Sequence, residues 1–230
     1  MFEIFSYERD KFQIIEWFED NKEKDVSDLL ANCELVTVPE GTRLYTENQP
    51  VDKVFLIKKG FAKCHMSSGK SNEYIFQLPG PGFLLGYQPL LCDEAHPHSL
   101  TTITTCSICI IDRNNFLQLI ALSPEFKQRL LVNMSHEYGY FVEFLRVMAK
   151  YTVRERIALF LLVLDVKFNQ RGIYNIPLKR EEMANIVSTA LETFVRTLKE
   201  FKDDNVIEVS GRYIKILNRS KLHKITRLYN

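Results

Sequence analysis

The chain is expected to fold as α+β in three successive parts: an N-terminal antiparallel β-roll of jelly-roll type, one long helix, and a C-terminal set of short helices closed by a hairpin. Three observations predict this. Between residues 34 and 112, short β-type runs alternate with turn residues. From Pro124 to Lys150 no further proline interrupts an apolar repeat of threes and fours. Beyond residue 151, two helical patterns separated by a short break are followed by two β-runs around Ser210-Gly211.

The first 28 residues place Phe12, Ile15, Trp17 and Phe18 among charges, the pattern of amphipathic helical cover. The β-runs are Leu35-Val36-Thr37-Val38, Val54-Phe55-Leu56-Ile57, Tyr74-Ile75-Phe76-Gln77-Leu78 and Ser107-Ile108-Cys109-Ile110-Ile111. They break at Pro39-Glu40-Gly41, Lys59-Gly60, Ser68-Gly69-Lys70 and Pro79-Gly80-Pro81-Gly82. Such regular punctuation indicates a closed sandwich or barrel. The roll and its cover are expected over 1–122.

Residues 123–150 are expected to form the long helix, with Ser123 as cap, Pro124 in the first turn and Glu125 beside it. Phe126, Leu130, Met134, Tyr138, Phe141, Leu145 and Met148 make a stripe of about 40 Å on one face. Near-heptad spacing over three heptads predicts a seam with a second subunit, formed by Met134, Tyr138, Phe141, Leu145 and Met148. The bland alternative is packing on the chain's own roll.

The remaining module, 151–230, opens with a helix over 153–168 that Gly172 helps to stop. Helices are expected over 180–187 and from about 190 to 203, then the hairpin Val206-Ile207-Glu208-Val209 and Arg212-Tyr213-Ile214-Lys215-Ile216. Helix, short strand, helix, turn, helix, hairpin is the order of a winged helix-turn-helix. Met183, Ile186, Val187, Phe194 and Leu198 close a small core, and Ala184 is small where helices cross. Leu191, Glu192, Val195, Arg196 and Lys199 are left on the outside.

Glu192 and Arg196 stand one turn apart at the start of a recognition helix. Arginine grips guanine O6 and N7 with two bonds, and glutamate accepts from cytosine N4. Leu191, Glu192, Val195 and Arg196 are therefore the candidate base readers. Arg180, Thr189, Thr193, Lys199, Arg212 and Lys215 are candidate phosphate contacts. The competing reading of Glu192 and Arg196 is a surface ion pair.

On these residues the chain resembles the Crp/Fnr family, the cAMP receptor protein and its relatives, from about Cys33 to Leu217. Pro39-Glu40-Gly41 and Val54-Phe55-Leu56-Ile57-Lys58-Lys59-Gly60 resemble the roll's opening strands. The helix from Arg154 to Gly172 resembles the family's linker helix, and Glu192-Thr193-x-x-Arg196 its reading segment. The resemblance implies a β-roll sensor, a dimer helix, a two-fold symmetric promoter site in double-stranded DNA and contact with RNA polymerase. It also has departures. Ser188 and Ala190 stand where relatives have a glycine turn and a serine, so Ser188 or Thr189 is expected to cap the second helix. Leu191 replaces a polar or basic base-reading residue.

The expected effector pocket, Gly86, Tyr87, His98 and Ser99, departs further. In cAMP-binding relatives Tyr87 would be glutamate and His98 arginine, and a neutral imidazole cannot neutralise a phosphate as a guanidinium fork does. Weak or absent cAMP binding is expected. Cys106-Ser107-Ile108-Cys109 resembles the strand that donates a cluster ligand in oxygen-sensing relatives, yet no cysteine precedes Cys33, so no iron-sulfur cluster is expected. Cys106 and Cys109 fall on opposite faces of a strand, as core residues would. His96-Pro97-His98 has the look of a cupin metal pair, but no carboxylate follows at cupin spacing and proline implies a loop. No metal site, and no cofactor of any kind, is expected.

Charge and composition agree with this reading. Residues 1–150 hold 15 Lys and Arg against 20 Asp and Glu, a net −5, while 151–230 hold 15 against 9, a net +6. A basic tail module suits a phosphate-rich partner. No apolar run reaches the roughly 18 residues of a membrane span, and the start is acidic rather than basic and apolar, so a cytoplasmic protein is expected. Five cysteines in apolar stretches suit reduced thiols. No nucleophile with its base, no paired catalytic carboxylates and no glycine phosphate loop appear, so an enzyme is not expected. The alternatives are a cupin-like metal-dependent enzyme and a signalling module whose helix-turn-helix no longer touches DNA.

Overall fold

The structure, a computed structural model, describes residues 17–18, 24–67, 73–168 and 172–226. Phe12 and Ile15 of the expected helical cover lie outside them. The described residues fall into two compact units divided between Tyr138 and Gly139.

The first unit is the β-roll. Helix α1 (Lys24–Ala31) leads into β1 (Glu34–Val38), β2 (Arg43–Tyr45), β3 (Lys53–Lys59), β4 (Ala62–Ser67), β5 (Glu73–Gln77) and β6 (Leu84–Leu85). Helix α2 (Tyr87–Cys92), β7 (Ser99–Thr102), β8 (Cys106–Asp112) and α3 (Arg113–Leu122) complete it. Two four-stranded antiparallel sheets result, in the orders β1-β8-β3-β6 and β2-β7-β4-β5. The near-continuous apolar run of β3 has a simple cause, since that strand is covered on both faces. Phe55 and Ile57 join Tyr45, Cys64, Leu100 and Ile108 between the sheets, while Val54 and Leu56 meet the helical layer of Val26, Leu90, Phe116 and Leu119. Strand β8 divides the same way, with Cys106 between the sheets and Cys109 facing the helices.

One glycine in the roll cannot be replaced. Gly60, at φ +88°, turns β3 into β4, and a Cβ there would sit 2.7 Å from the Cys106 sulfur and closer still to the Thr105 carbonyl. The helical cover is anchored by Trp17, whose ring stacks on Phe126 at 4.8 Å.

Helix α4 (Pro124–Lys150) is a single run of 27 residues. Ser123 Oγ accepts the Phe126 N–H at 3.2 Å, the cap expected ahead of Pro124. The apolar stripe, however, is two stripes. Phe126 and Leu130 are buried among the roll's helix-facing core. From there on Leu131, Met134, Tyr138, Phe141, Val142 and Leu145 are exposed, Tyr138 at 74% and Leu145 at 65%.

The second unit holds α5 (Val153–Lys167), α6 (Arg180–Ile186), α7 (Leu191–Asp203), β9 (Ile207–Ser210), β10 (Tyr213–Ile216) and α8 (Arg219–Ile225). Thr152 and Glu155 form a reciprocal capping box that starts α5. Eight consecutive residues of α5, 157–164, are buried, so it is the pivot on which the other helices pack. Phe194, Thr197, Leu198 and Phe201 give α7 its inner face. The hairpin pairs Tyr213 with Ser210, leaving Gly211-Arg212 as a two-residue turn with Gly211 at φ +53°. Arg154 lies 4.7 Å over the Phe201 ring and pairs with Glu200, tying α5 to α7.

Candidate nucleic-acid interface and sensor region

The turn between α6 and α7 is built on Ser188. Its N–H donates to the Asn185 carbonyl and that of Thr189 to the Ala184 carbonyl, both at 3.0 Å. Ser188 takes φ +51°, the left-handed conformation that glycine adopts more readily, so it occupies the turn position rather than capping. Neither Ser188 nor Thr189 caps α7, contrary to expectation. Ala190 is the N-cap and offers no side-chain acceptor. The first N–H groups of α7 therefore lack the side-chain oxygen that usually closes a helix start.

On α7, Glu192, Val195, Arg196 and Lys199 are exposed, and Leu191 and Thr193 are half-buried. Among the described residues neither Glu192 nor Arg196 has an ion-pair or hydrogen-bond partner, so the surface-pair reading of these two finds no contact. Arg212 is exposed at the wing turn and Lys215 lies 5.9 Å over the Tyr174 ring. Arg180 is differently placed. It donates to the Gly211 carbonyl and lies 3.4 Å from the Met183 sulfur, and burial holds its guanidinium below the usual arginine range. It fastens α6 to the wing. Ile186, expected in the core, is only half-buried.

In the roll, the four pocket residues belong to two sets. Gly86, at φ +85°, begins α2, and a Cβ there would meet the Lys53 carbonyl at 3.0 Å and His96 at 3.4 Å. His96 stacks on Tyr45 at 3.8 Å, and His98 Nε2 bonds the Tyr45 hydroxyl at 3.0 Å. Both histidines precede β7 in a loop, as proline implies. Burial, with His96 and His65 nearby, lowers the His98 pKa to about 4, so the ring is neutral at pH 7. Ser99 Oγ accepts the Glu47 N–H at 3.0 Å.

Tyr87 belongs to the second set. Its buried hydroxyl donates to Glu137 Oε2 at 2.7 Å and accepts from Asn133 Nδ2 at 3.1 Å. Gln88 also donates to Glu137, and Asn133 reaches its other oxygen at 3.1 Å. Glu137 and Asn133 are one turn apart on α4, so this network fixes α2 to that helix. Sequence reading missed Glu137, Asn133 and Gln88. Their only signal was a polar pair at spacing four on the flank of an apolar stripe.

A ribose would thus find a tyrosine already bonded to α4, and a cyclic phosphate would find a neutral histidine bonded to Tyr45. These residues do not fit a cyclic nucleotide. Among the described residues no three His, Cys, Asp or Glu side chains are grouped to hold a metal. No helix of the described residues is long and apolar enough to cross a membrane.

A β-roll joined through one long helix to a winged helix-turn-helix, with unengaged polar and basic side chains on its second helix, defines a DNA-binding transcription regulator. Residues 35–123 match the cyclic nucleotide-binding domain and residues 155–225 the Crp-like helix-turn-helix domain. The fumarate and nitrate reduction regulatory protein of Vibrio cholerae is 26% identical over 192 residues, 82% of this chain and 76% of that protein. The transcriptional activator protein Anr of Pseudomonas protegens is 27% identical over 187 residues, 80% and 76% of the two. The FixK2 structure from Bradyrhizobium japonicum has the same fold, with a TM-score of 0.75 at 20% identity over 84% of this chain and 96% of its own. The chain belongs to the Crp/Fnr family.

Proposed function

We propose that the chain works in the cytoplasm as a homodimer that reads a two-fold symmetric promoter site and contacts RNA polymerase, without catalytic activity of its own. The observation that carries this reading is Arg196. It stands exposed with Glu192 on the outer face of α7, and neither has a partner among the described residues. Leu191 and Val195 flank them as apolar base contacts. The uncapped first turn of α7 supports phosphate binding through backbone N–H groups near Thr193, with Thr189, Lys199, Arg212 and Lys215 around it. Arg180 serves the wing instead. The exposed part of the α4 stripe supports pairing through Met134, Tyr138, Phe141 and Leu145, to which Leu131 and Val142 add. Met148 is half-buried and takes an Arg156 contact at 3.4 Å, so it borders the seam. Paired recognition helices about 34 Å apart would match one turn of duplex. The poor fit to cyclic nucleotide argues for another signal, or another ligand, at the roll.

Selection of bound genomic fragments followed by titration against salt tests the proposal. Affinity for the selected site is expected to fall steeply with ionic strength. Arg196→Ala is expected to weaken specific binding by roughly 1–3 kcal/mol and leave nonspecific binding nearly intact. An unchanged footprint for that variant would remove Arg196 from the reading face, and failure to retain any fragment at low salt would defeat the proposal.

A further inference from the structure

Two cysteines meet where the first strand leaves its helix. Cys33 lies in the bend between α1 and β1, its N–H donating to Leu30 at 3.1 Å and its thiol to Leu29 at 3.7 Å. Strand β1 runs antiparallel to β8 with Glu34 opposite Ile110 and Leu35 opposite Cys109. One step back along that register sets Cys33 opposite Ile111. Cys109 is then its diagonal neighbour, on the same face of the sheet. Both side chains lie at the helix-facing cluster, Cys109 buried within it and Cys33 packed against it.

Their nearness divides the pair chemically. The Cys109 sulfur, with burial adding to the effect, raises the Cys33 pKa above the ordinary thiol range. The Cys33 thiol lowers that of Cys109 against an opposing effect of burial, and Lys58 assists. Cys109 is thereby the more readily ionised of the two. Cys33 is half-exposed and Cys109 is buried, so solvent meets the pair at Cys33. The other thiols are placed differently: Cys64 and Cys106 are buried between the sheets, and Cys92 is exposed on α2. Diagonal sheet neighbours stand about 7–8 Å apart at their Cα atoms, beyond the roughly 7 Å that a bridge spans without backbone movement. Cys33 precedes the ladder, and its bend can close the difference without breaking a strand pairing.

We propose that Cys33 and Cys109 form a reversible dithiol–disulfide site that takes a peroxide as its oxidant. The Cys109 sulfur attacks one peroxide oxygen and the O–O bond breaks, leaving a sulfenic acid on Cys109 and releasing one water. The Cys33 sulfur then displaces the hydroxyl group from the Cys109 sulfur, which leaves as a second water when it takes the Cys33 proton. In sum two thiols lose two protons and two electrons, one hydrogen peroxide becomes two waters, and one S–S bond forms. A dithiol reductant reverses it.

The test uses the full, reduced chain without DNA: exposure to one equivalent of hydrogen peroxide, alkylation, thiol counting and peptide mapping by mass spectrometry. The thiol count is expected to fall from five to three, with a Cys33–Cys109 linked peptide that dithiothreitol removes. Cys33→Ser and Cys109→Ser are each expected to abolish the linked peptide, and Cys92→Ser to leave it. Should Cys109→Ser fail to fold, the wild-type peptide map and Cys33→Ser still decide the matter. Five thiols surviving the peroxide, linkage between chains through Cys92, or oxidation of Cys33 and Cys109 to sulfinic acids without a bridge would overturn the proposal.

Discussion

Tyr87 and His98 stand eleven positions apart in the chain and end in different environments. The Tyr87 hydroxyl completes a buried set with Glu137, Asn133 and Gln88, where Glu137 is 8% exposed. A carboxylate so placed needs its donors, because an unsatisfied buried acceptor costs about 1–3 kcal/mol and a charged one more. His98 is instead held neutral. Its folded pKa of about 4 lies below the 6.5 of an ordinary histidine, so between these values the unfolded chain binds more protons than the folded one. The stability tied to this ring is complete above pH 6.5 and is lost as pH falls toward 4. Urea unfolding at pH 7.5 and pH 5 is expected to differ by about 1–2 kcal/mol from this residue. The difference should shrink in His98→Gln; if the variant keeps the full dependence, other groups cause it.

Helix α7 starts on Ala190, with Ser188 in the turn and nothing capping the first amides. An acceptor at that position is worth about 0.5–2 kcal/mol to a helix. Ala190→Asp is therefore expected to raise the melting temperature and, by setting a carboxylate where phosphate would bind, to weaken DNA affinity by at least several-fold; thermal melts and anisotropy titration read both. Equal or tighter DNA binding would mean that the α7 start faces away from the backbone. This detail also shows the limit of reading elements from sequence. The strands were legible in runs such as 54–57 because a strand buried on both faces must be apolar throughout, and α6, α7 and the hairpin were legible from period and turn residues. The cap was not, since serine, threonine and alanine in succession leave the φ of each undetermined. Likewise the periodicity of α4 told which face is apolar but not what covers it, so Phe126 and Leu130, buried in the roll, were grouped with Leu145, which is bare. Arg180 looked like any basic residue ahead of a recognition helix until the wing turn was seen to accept its bond.

For the molecule as a whole, that bare stretch of α4 is the feature that most needs company. Soluble monomers rarely leave so many large apolar side chains in one line. Leu145→Glu is expected to give monomers by sedimentation while leaving the fold intact, as the residue is 65% exposed. Dimers that survive the substitution would place the seam elsewhere. A working form made of two identical chains has a further property. In the dilute regime its amount grows with the square of the copy number, so doubling synthesis would quadruple the active species and halving it would leave a quarter. The cell's rate of making the chain would then act as a control on its genes before any ligand or oxidant arrives.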